Sequence, residues 1–185
     1  MPDDARAMAE LINIAGEGLP VYLWAKIAEP GQSPWEVGRQ RAQRDSGSFS
    51  YRNTVVREED GSVVAALMGY PLPDEPEATN YDELAPMFVP LQQLENLAAG
   101  TWYVNVLAAL PECRGKGYGS ELLGIAEELA RLTQRKGLSI IVADANTGAR
   151  RLYERQGYTE RATRKMVKEA WENPGENWVL LIRDL

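Results

Sequence analysis

The sequence predicts a single α/β domain over residues 1–185, built on a mixed sheet, and three observations lead there. A β-rich hairpin pattern over residues 50–70 follows a helical N-terminal third. Further on, a buried strand, a glycine-rich turn, a long amphipathic helix and a second buried strand follow one another, the order that produces strand–helix–strand packing. No internal repeat, low-complexity tract or linker divides the chain.

The elements follow in order. Asp3 and Asp4 are placed to cap a first helix, in which Ala7, Leu11, Ile12 and Ile14 recur near helical spacing before Gly16 and Gly18 stop it. A second short helix runs over about 19–28 and breaks at Pro30-Gly31. Ser33-Pro34-Trp35-Glu36 reads as a capping box with proline at the first helical position, so a third helix starts there. Residues 50–57 and 62–70 form a hairpin turned at Glu58-Glu59-Asp60-Gly61. Residues 71–83, with three prolines and five acidic residues, are a loop, and 84–99 read as a helix ended by Gly100. Residues 101–110 are strongly β, and Leu107-Ala108-Ala109-Leu110 is apolar on both faces, as suits a central strand. Residues 118–136 give an amphipathic helix with a buried stripe of Leu122, Ile125, Ala126, Leu129 and Leu132, a Glu127–Arg131 pair one turn apart, and Gly137 as its stop. A buried strand over 138–143, a helix over 146–156 capped by Gly157, and two closing strands over 158–168 and 178–183 complete the chain, with Asn173-Pro174-Gly175 turning between the last two.

Composition narrows the chemistry. The formal net charge of −7 argues against a general nucleic-acid binder and suits a cationic substrate. There is no histidine, which removes Ser-His and Cys-His catalysis and histidine metal sites, and one cysteine leaves no internal disulfide or cysteine metal cluster, so no metal is expected. No apolar run is long enough to span a bilayer and the N-terminus is not signal-like, so a cytoplasmic protein without a membrane partner is expected.

Arg114-Gly115-Lys116-Gly117-Tyr118-Gly119-Ser120 lies between a buried strand and a long helix. Free N–H groups converge at such a turn, the helix dipole adds partial positive charge, and glycine admits an oxygen close to the backbone, so the stretch suits an anion. The same three glycines would equally make a tight connection. The P-loop string G-x-x-x-x-G-K-[ST] is absent, and the dinucleotide fingerprint is excluded because the turn begins beyond residue 110 and ends in Ser120.

Residues 107–123, LAALPECRGKGYGSELL, resemble the acetyl-CoA signature of the GNAT superfamily of N-acetyltransferases, with Arg114, Gly117 and Gly119 on its fixed positions. Residues 144–158 resemble that family's second block through Asn146, Ala149, Tyr153, Gly157 and Tyr158. The strong resemblance covers about residues 101–160. It implies a mixed, mostly antiparallel central sheet flanked by helices and splayed at the cofactor strand. It implies acetyl-CoA as cosubstrate, with the pantetheine arm on the backbone of Leu107, Ala108 and Ala109, the pyrophosphate on Arg114 to Ser120, and a further contact from Asn146. Tyr153 then protonates the departing thiolate, and the reaction is acetyl transfer to a small-molecule or peptide primary amine.

Each residue also has a plainer reading. Asn146 suits a helix N-cap, Tyr153 an aromatic core position beside Leu152, and Ala108 and Ala109 a packed strand. Cys113 reads as a packing residue under the turn rather than an acyl carrier. Trp24, Trp35, Trp102 and Trp171 fit either a substrate cleft or the core. Two departures from the family stand out. Ile141 occupies the place, five residues before the asparagine, where many relatives carry a glutamate base; acidic residues of the 74–83 loop are weak substitutes. The family's first strand is mostly missing before the first helix, so the sheet edge beside the hairpin is exposed or otherwise filled, with a homodimer as one way to cover it. The alternatives to amine acetylation are a different acyl group, an alcohol acceptor, or an acyl-CoA sensor without turnover.

Overall fold

In the computed structural model, which describes residues 4–185, the polypeptide contributes strands and helices to two compact units. One comprises the chain up to Gly69 together with Val106–Leu122; the other comprises Tyr70–Asn105 with Leu123–Leu185. The six strands are ordered β1-β2-β3-β4-β6-β5 in a mixed sheet, mostly antiparallel and flanked by helices, as the sequence predicts.

In the first unit, α1 (Ala5–Ala15), α2 (Leu19–Ile27) and α3 (Pro34–Ala42) pack on one another. Asp4 precedes α1 but makes no side-chain cap, and Asp3 lies outside the described residues. Ser33 caps α3 by accepting the N–H of Trp35 at 3.3 Å, one residue earlier than the capping box predicts. Met8, Ile12, Trp24 and Val37 join Met68 and Val106 in a buried apolar cluster. The hairpin pairs β1 (Thr54–Glu59) with β2 (Ser62–Pro71). Asp60 and Gly61 both carry positive φ, 49° and 74°, the two left-handed residues of a type I′ turn whose twist matches the strands. The strand starts at Thr54 because Ser50 initiates a single tight helical turn over Tyr51–Asn53. No strand precedes α1 among the described residues, and β1 forms a sheet edge.

The second unit holds α4 (Val89–Leu97), which packs against β4 (Gly137–Ala143), β5 (Thr159–Lys165) and β6 (Asn177–Asp184). The helix starts later than the apolar pattern suggests because Pro90 lacks an N–H and fits only the first turn; Pro86 and its neighbours form a separate short turn. β3 (Trp102–Ala109) runs parallel to β4 over Trp102–Val104 against Leu138–Ile140. That ladder covers three of the eight residues of β3, and Leu107 to Ala109 lie outside it. Inside it, Thr101 and Ser139 share a buried hydroxyl hydrogen bond of 2.7 Å. Directly after β4, burial pushes the Asp144 carboxyl up, but hydrogen bonds from Asn177 and from the backbone of Glu176, Ala145 and Asn177 outweigh it and hold the carboxyl below its usual range.

α5 (Tyr118–Leu132) ends earlier than predicted. Gln134 adopts φ 55° and the N–H of Arg135 bonds back to Ala130 at 2.8 Å, closing the helix, so Gly137 opens β4 instead of stopping α5. Leu132, the last residue of α5, is 78% exposed and does not join the buried stripe; Leu122, Leu123, Ala126 and Ala130 are the buried positions. The expected Glu127–Arg131 pair forms at 2.8 Å, and Glu127 also meets Arg183 at 2.7 Å. Gly157 adopts φ 86° after α6 (Thr147–Arg155), as expected of a left-handed cap.

Two helical glycines separate propensity from packing. A Cβ on Gly38 would lie 2.5 Å from the Trp24 ring, whereas one on Gly124 would meet nothing within 4 Å. Gly124→Ala is expected to stabilise by roughly 0.5–1 kcal/mol through helix propensity alone. Gly38→Ala is expected to lose about 1–2 kcal/mol net, because overpacking against an aromatic ring outweighs the same gain. Urea unfolding of both variants reads the opposite signs.

Candidate functional site

The turn into α5 is shaped by two left-handed glycines, Gly115 at φ 78° and Gly117 at φ 89°. The Gly117 carbonyl accepts the first helical N–H groups, from Ser120 at 3.0 Å and Glu121 at 3.1 Å, so Gly117 is the N-cap. Among the described residues, the N–H groups of Gly115, Lys116, Gly117, Tyr118 and Gly119 have no internal acceptor. A Cβ at either glycine would meet no protein atom within 4 Å, so the space in front of the turn is open. Five unpaired donors at a positive helix end, with open space before them, fit a pyrophosphate. Arg114 is exposed and makes no ion pair among the described residues.

Lys116 and Tyr118 are engaged in a network that the sequence did not foretell. Glu59, at the end of β1, accepts from Lys116 Nζ at 3.0 Å and from the Tyr118 hydroxyl. The Tyr118 hydrogen bond first, and the Lys116 bond second, hold the Glu59 carboxyl below its usual range, while the same bonds raise both donors. Arg57 pairs with Glu121 at 3.1 Å and lies over the Tyr118 ring at 5.2 Å. The hairpin tip thus binds the turn through a carboxylate. The acidic run Glu58-Glu59-Asp60 carried that signal, but it reads as ordinary turn polarity until the pairing is known.

Along β3, Leu107 and Ala109 are half-buried and Ala108 is 8% exposed, in an apolar cluster with Leu11 and Ala66. Cys113 is buried beneath the turn, as its packing role predicts. Asn146 Oδ1 accepts the N–H of Ala149 at 3.1 Å, so its N-cap role is real. Tyr153, 4% exposed, packs at 5.8 Å from the ring of Tyr158, whose buried hydroxyl finds no partner among the described residues. Burial raises the Tyr158 hydroxyl well above the usual phenol range. Of the tryptophans, Trp24 and Trp102 are core residues, Trp171 stacks on Trp178 at 5.8 Å, and Trp35 is 40% exposed with its ring against Trp24. Ile141, in β4, is half-buried.

One residue in the second unit has no counterpart in the sequence reading. Glu95 sits on α4, half-buried, and burial first, with the charge of Glu77 second, raises its carboxyl to about 7. Its carboxyl makes no hydrogen bond or ion pair among the described residues. Tyr103, buried on β3 with its ring 5.7 Å from that of Tyr70, is raised well above the phenol range by burial first and then by Tyr70, Glu95 and Tyr153. Helical periodicity alone assigns Glu95 to the polar face of an amphipathic helix, which is why the sequence reading passed over it.

The acetyltransferase (GNAT) family model matches residues 20–158. A comparison with curated proteins finds no match. Among solved structures, one described as an acetyltransferase superposes with a TM-score of 0.66 at 18% identity, covering 100% of this chain and 96% of that one. An N-acetyltransferase from Staphylococcus aureus Mu50 gives 0.63 at 15% identity, covering 98% and 96%. A GNAT family acetyltransferase from Elizabethkingia anophelis with acetyl-CoA bound gives 0.53 at 18%, covering 71% and 75%.

The Glu95 carboxyl generates a sign that can be checked. Its folded pKa lies above the usual value, so its stabilising contribution is present below about pH 4.5 and is lost as pH rises through about 7. Glutamine mimics the neutral acid. Glu95→Gln is therefore expected to be more stable than the parent at pH 8, by on the order of 1–3 kcal/mol, with the difference shrinking as pH falls and vanishing below about pH 4.5. Thermal unfolding across that pH range measures it.

Proposed function

The chain belongs to the GNAT family of acetyltransferases, and from that premise we propose that it transfers an acetyl group from acetyl-CoA to a primary amine by direct attack in a ternary complex. The observation that carries the reading is the turn of five unpaired N–H groups at the start of α5, within the span of the family match. The acetyl-CoA bound to the Elizabethkingia anophelis neighbour supports the choice of cosubstrate. Residues 1–185 act as one functional domain in this reading, in the cytoplasm, on a small-molecule or peptide amine. No helix among the described residues is long and apolar enough to cross a membrane.

Bound acetyl-CoA would supply an acetyl group already activated as a thioester. Arg114, Gly115, Lys116, Gly117, Tyr118, Gly119 and Ser120 hold its pyrophosphate, Lys116 by exchanging Glu59 for a phosphate oxygen. The backbone of Leu107, Ala108 and Ala109, outside the β3–β4 ladder, holds the pantetheine arm and polarises the reacting carbonyl. Asn146 adds a contact through the amide nitrogen that its capping bond leaves open. Tyr153 donates a proton to the departing sulfur, a transfer helped by burial because an unpaired thiolate is costly in an apolar environment. The net charge of −7 favours a cationic acceptor such as an ammonium.

A panel of amines scored by coenzyme A thiol release tests the reaction; acetyl-CoA binding with no release on any amine would point to a sensor instead. Tyr153→Phe is expected to lower kcat on the order of 10²-fold with little change in acetyl-CoA affinity; a wild-type rate would make Tyr153 a packing residue.

Gly117→Val tests the pyrophosphate site. Valine resists φ 89°, and its side chain would fill the open space before the turn. Calorimetry should show at least a tenfold loss of acetyl-CoA affinity, about 1.4 kcal/mol, in a variant that stays folded. Unchanged affinity would remove the turn from the site.

A further inference from the structure

Amine acetylation leaves a proton unassigned. An ammonium like that of lysine has a pKa of about 10.4, so freeing its lone pair at pH 7 costs roughly 4–5 kcal/mol. Ile141 occupies the position where related enzymes often carry a base, and it has no proton chemistry. The acceptor of that proton must come from another element.

The polar side chains of α4 show one exception to an otherwise closed set of contacts. Gln92 donates to Asn96 at 3.3 Å, and Asn96 donates to the Glu77 carbonyl and the Tyr81 hydroxyl. Gln93 accepts from Arg164 at 3.1 Å. Glu95, between them, is half-buried yet has neither donor nor counter-ion among the described residues. The charged groups that face it give no relief. Glu75 and Glu77 line the same groove from the 72–77 loop with Leu72, Pro73 and Pro76, and the nearby cations Arg164 and Arg135 are held by Gln93 and Asp74. Its oxygens are not sealed off: they open into this groove, where an incoming proton donor can reach them. In the same unit, the charges of Glu95 on α4 and Tyr153 on α6 both act on Tyr103 of β3.

We propose that Glu95 is the catalytic base, taking the proton from the ammonium of the acceptor. This rests on the amine-acetylation reading above. An N–H bond of the ammonium breaks and its proton binds a Glu95 oxygen. The freed lone pair forms the N–C bond to the thioester carbonyl carbon, the C–S bond breaks with its electron pair on sulfur, and sulfur takes the Tyr153 proton. Glu95 passes its proton through the open groove to solvent, and the second N–H proton, lost from nitrogen as the amide forms, reprotonates the tyrosinate. The balance is ammonium plus thioester giving amide, thiol and one proton. A base titrating near neutrality is well matched to this task, since it is mostly ionised at working pH and still holds a proton when it must.

The test uses the full chain and the amine giving most thiol release from a panel of lysine methyl ester, a peptide N-terminus, a diamine and an amino sugar. In the wild type, kcat should rise with pH through a midpoint near 7. Glu95→Gln should lose about 10²-fold in kcat and lose that acid limb, Glu95→Asp should keep the limb with part of the rate, and Tyr153→Phe should slow while keeping it. A readout independent of turnover is the carboxyl 13C titration of Glu95, assigned by its absence in Glu95→Gln; adding the same amine without acetyl-CoA should lower its midpoint. If Glu95→Gln keeps the wild-type rate and limb, or loses rate with the limb intact, or if the amine leaves the Glu95 titration unmoved, Glu95 is not the base while amine acetylation stands. If the wild type releases no thiol from any amine, both readings fall together.

Discussion

A backbone donor that has no acceptor inside the protein must find one outside, and at the start of α5 five such donors stand in succession. That requirement accounts for the local sequence. Left-handed φ at residues 115 and 117 turns the N–H groups outward, and glycine is the residue that takes this conformation without strain. Cys113 is buried before the turn, and the apolar stripe of α5 anchors the helix that presents the donors. The span of the family match includes these residues.

Charge around the turn is arranged with some restraint. Arg114 stands open, whereas Lys116 is held by Glu59 and Arg57 by Glu121. All four of these paired side chains are partly exposed, so the pairs add little to stability. Their effect is positional: they hold the hairpin tip to the turn and keep Lys116 over the ring of Tyr118.

The order and type of the elements were legible in the sequence because each rests on local chemistry: the Asp60-Gly61 turn, the Gly157 cap and the amphipathic stripe of α5 each need only neighbours in sequence. Boundaries were lost where a proline or a left-handed residue cut an apolar pattern short, as at Pro90 and Gln134. The glycine-rich turn and the second block were legible for the same local reason, as contiguous strings. Glu59 and Glu95 were not. Their character comes from partners, or the want of them, on elements distant in sequence; Glu59 is 57 residues from Lys116 and 59 from Tyr118. No window along the chain contains that information.

The absence of histidine, which first served to exclude reaction classes, has a further consequence for the folded protein. Histidine is the side chain whose ordinary pKa falls between pH 5 and 8. Without it, no side chain of this sequence has an ordinary pKa in that window. Against that quiet background Glu95 is the carboxyl, among the described residues, that burial brings to about 7. The near-neutral proton uptake that an imidazole ordinarily provides thus falls, among the described residues, to a half-buried carboxyl on α4.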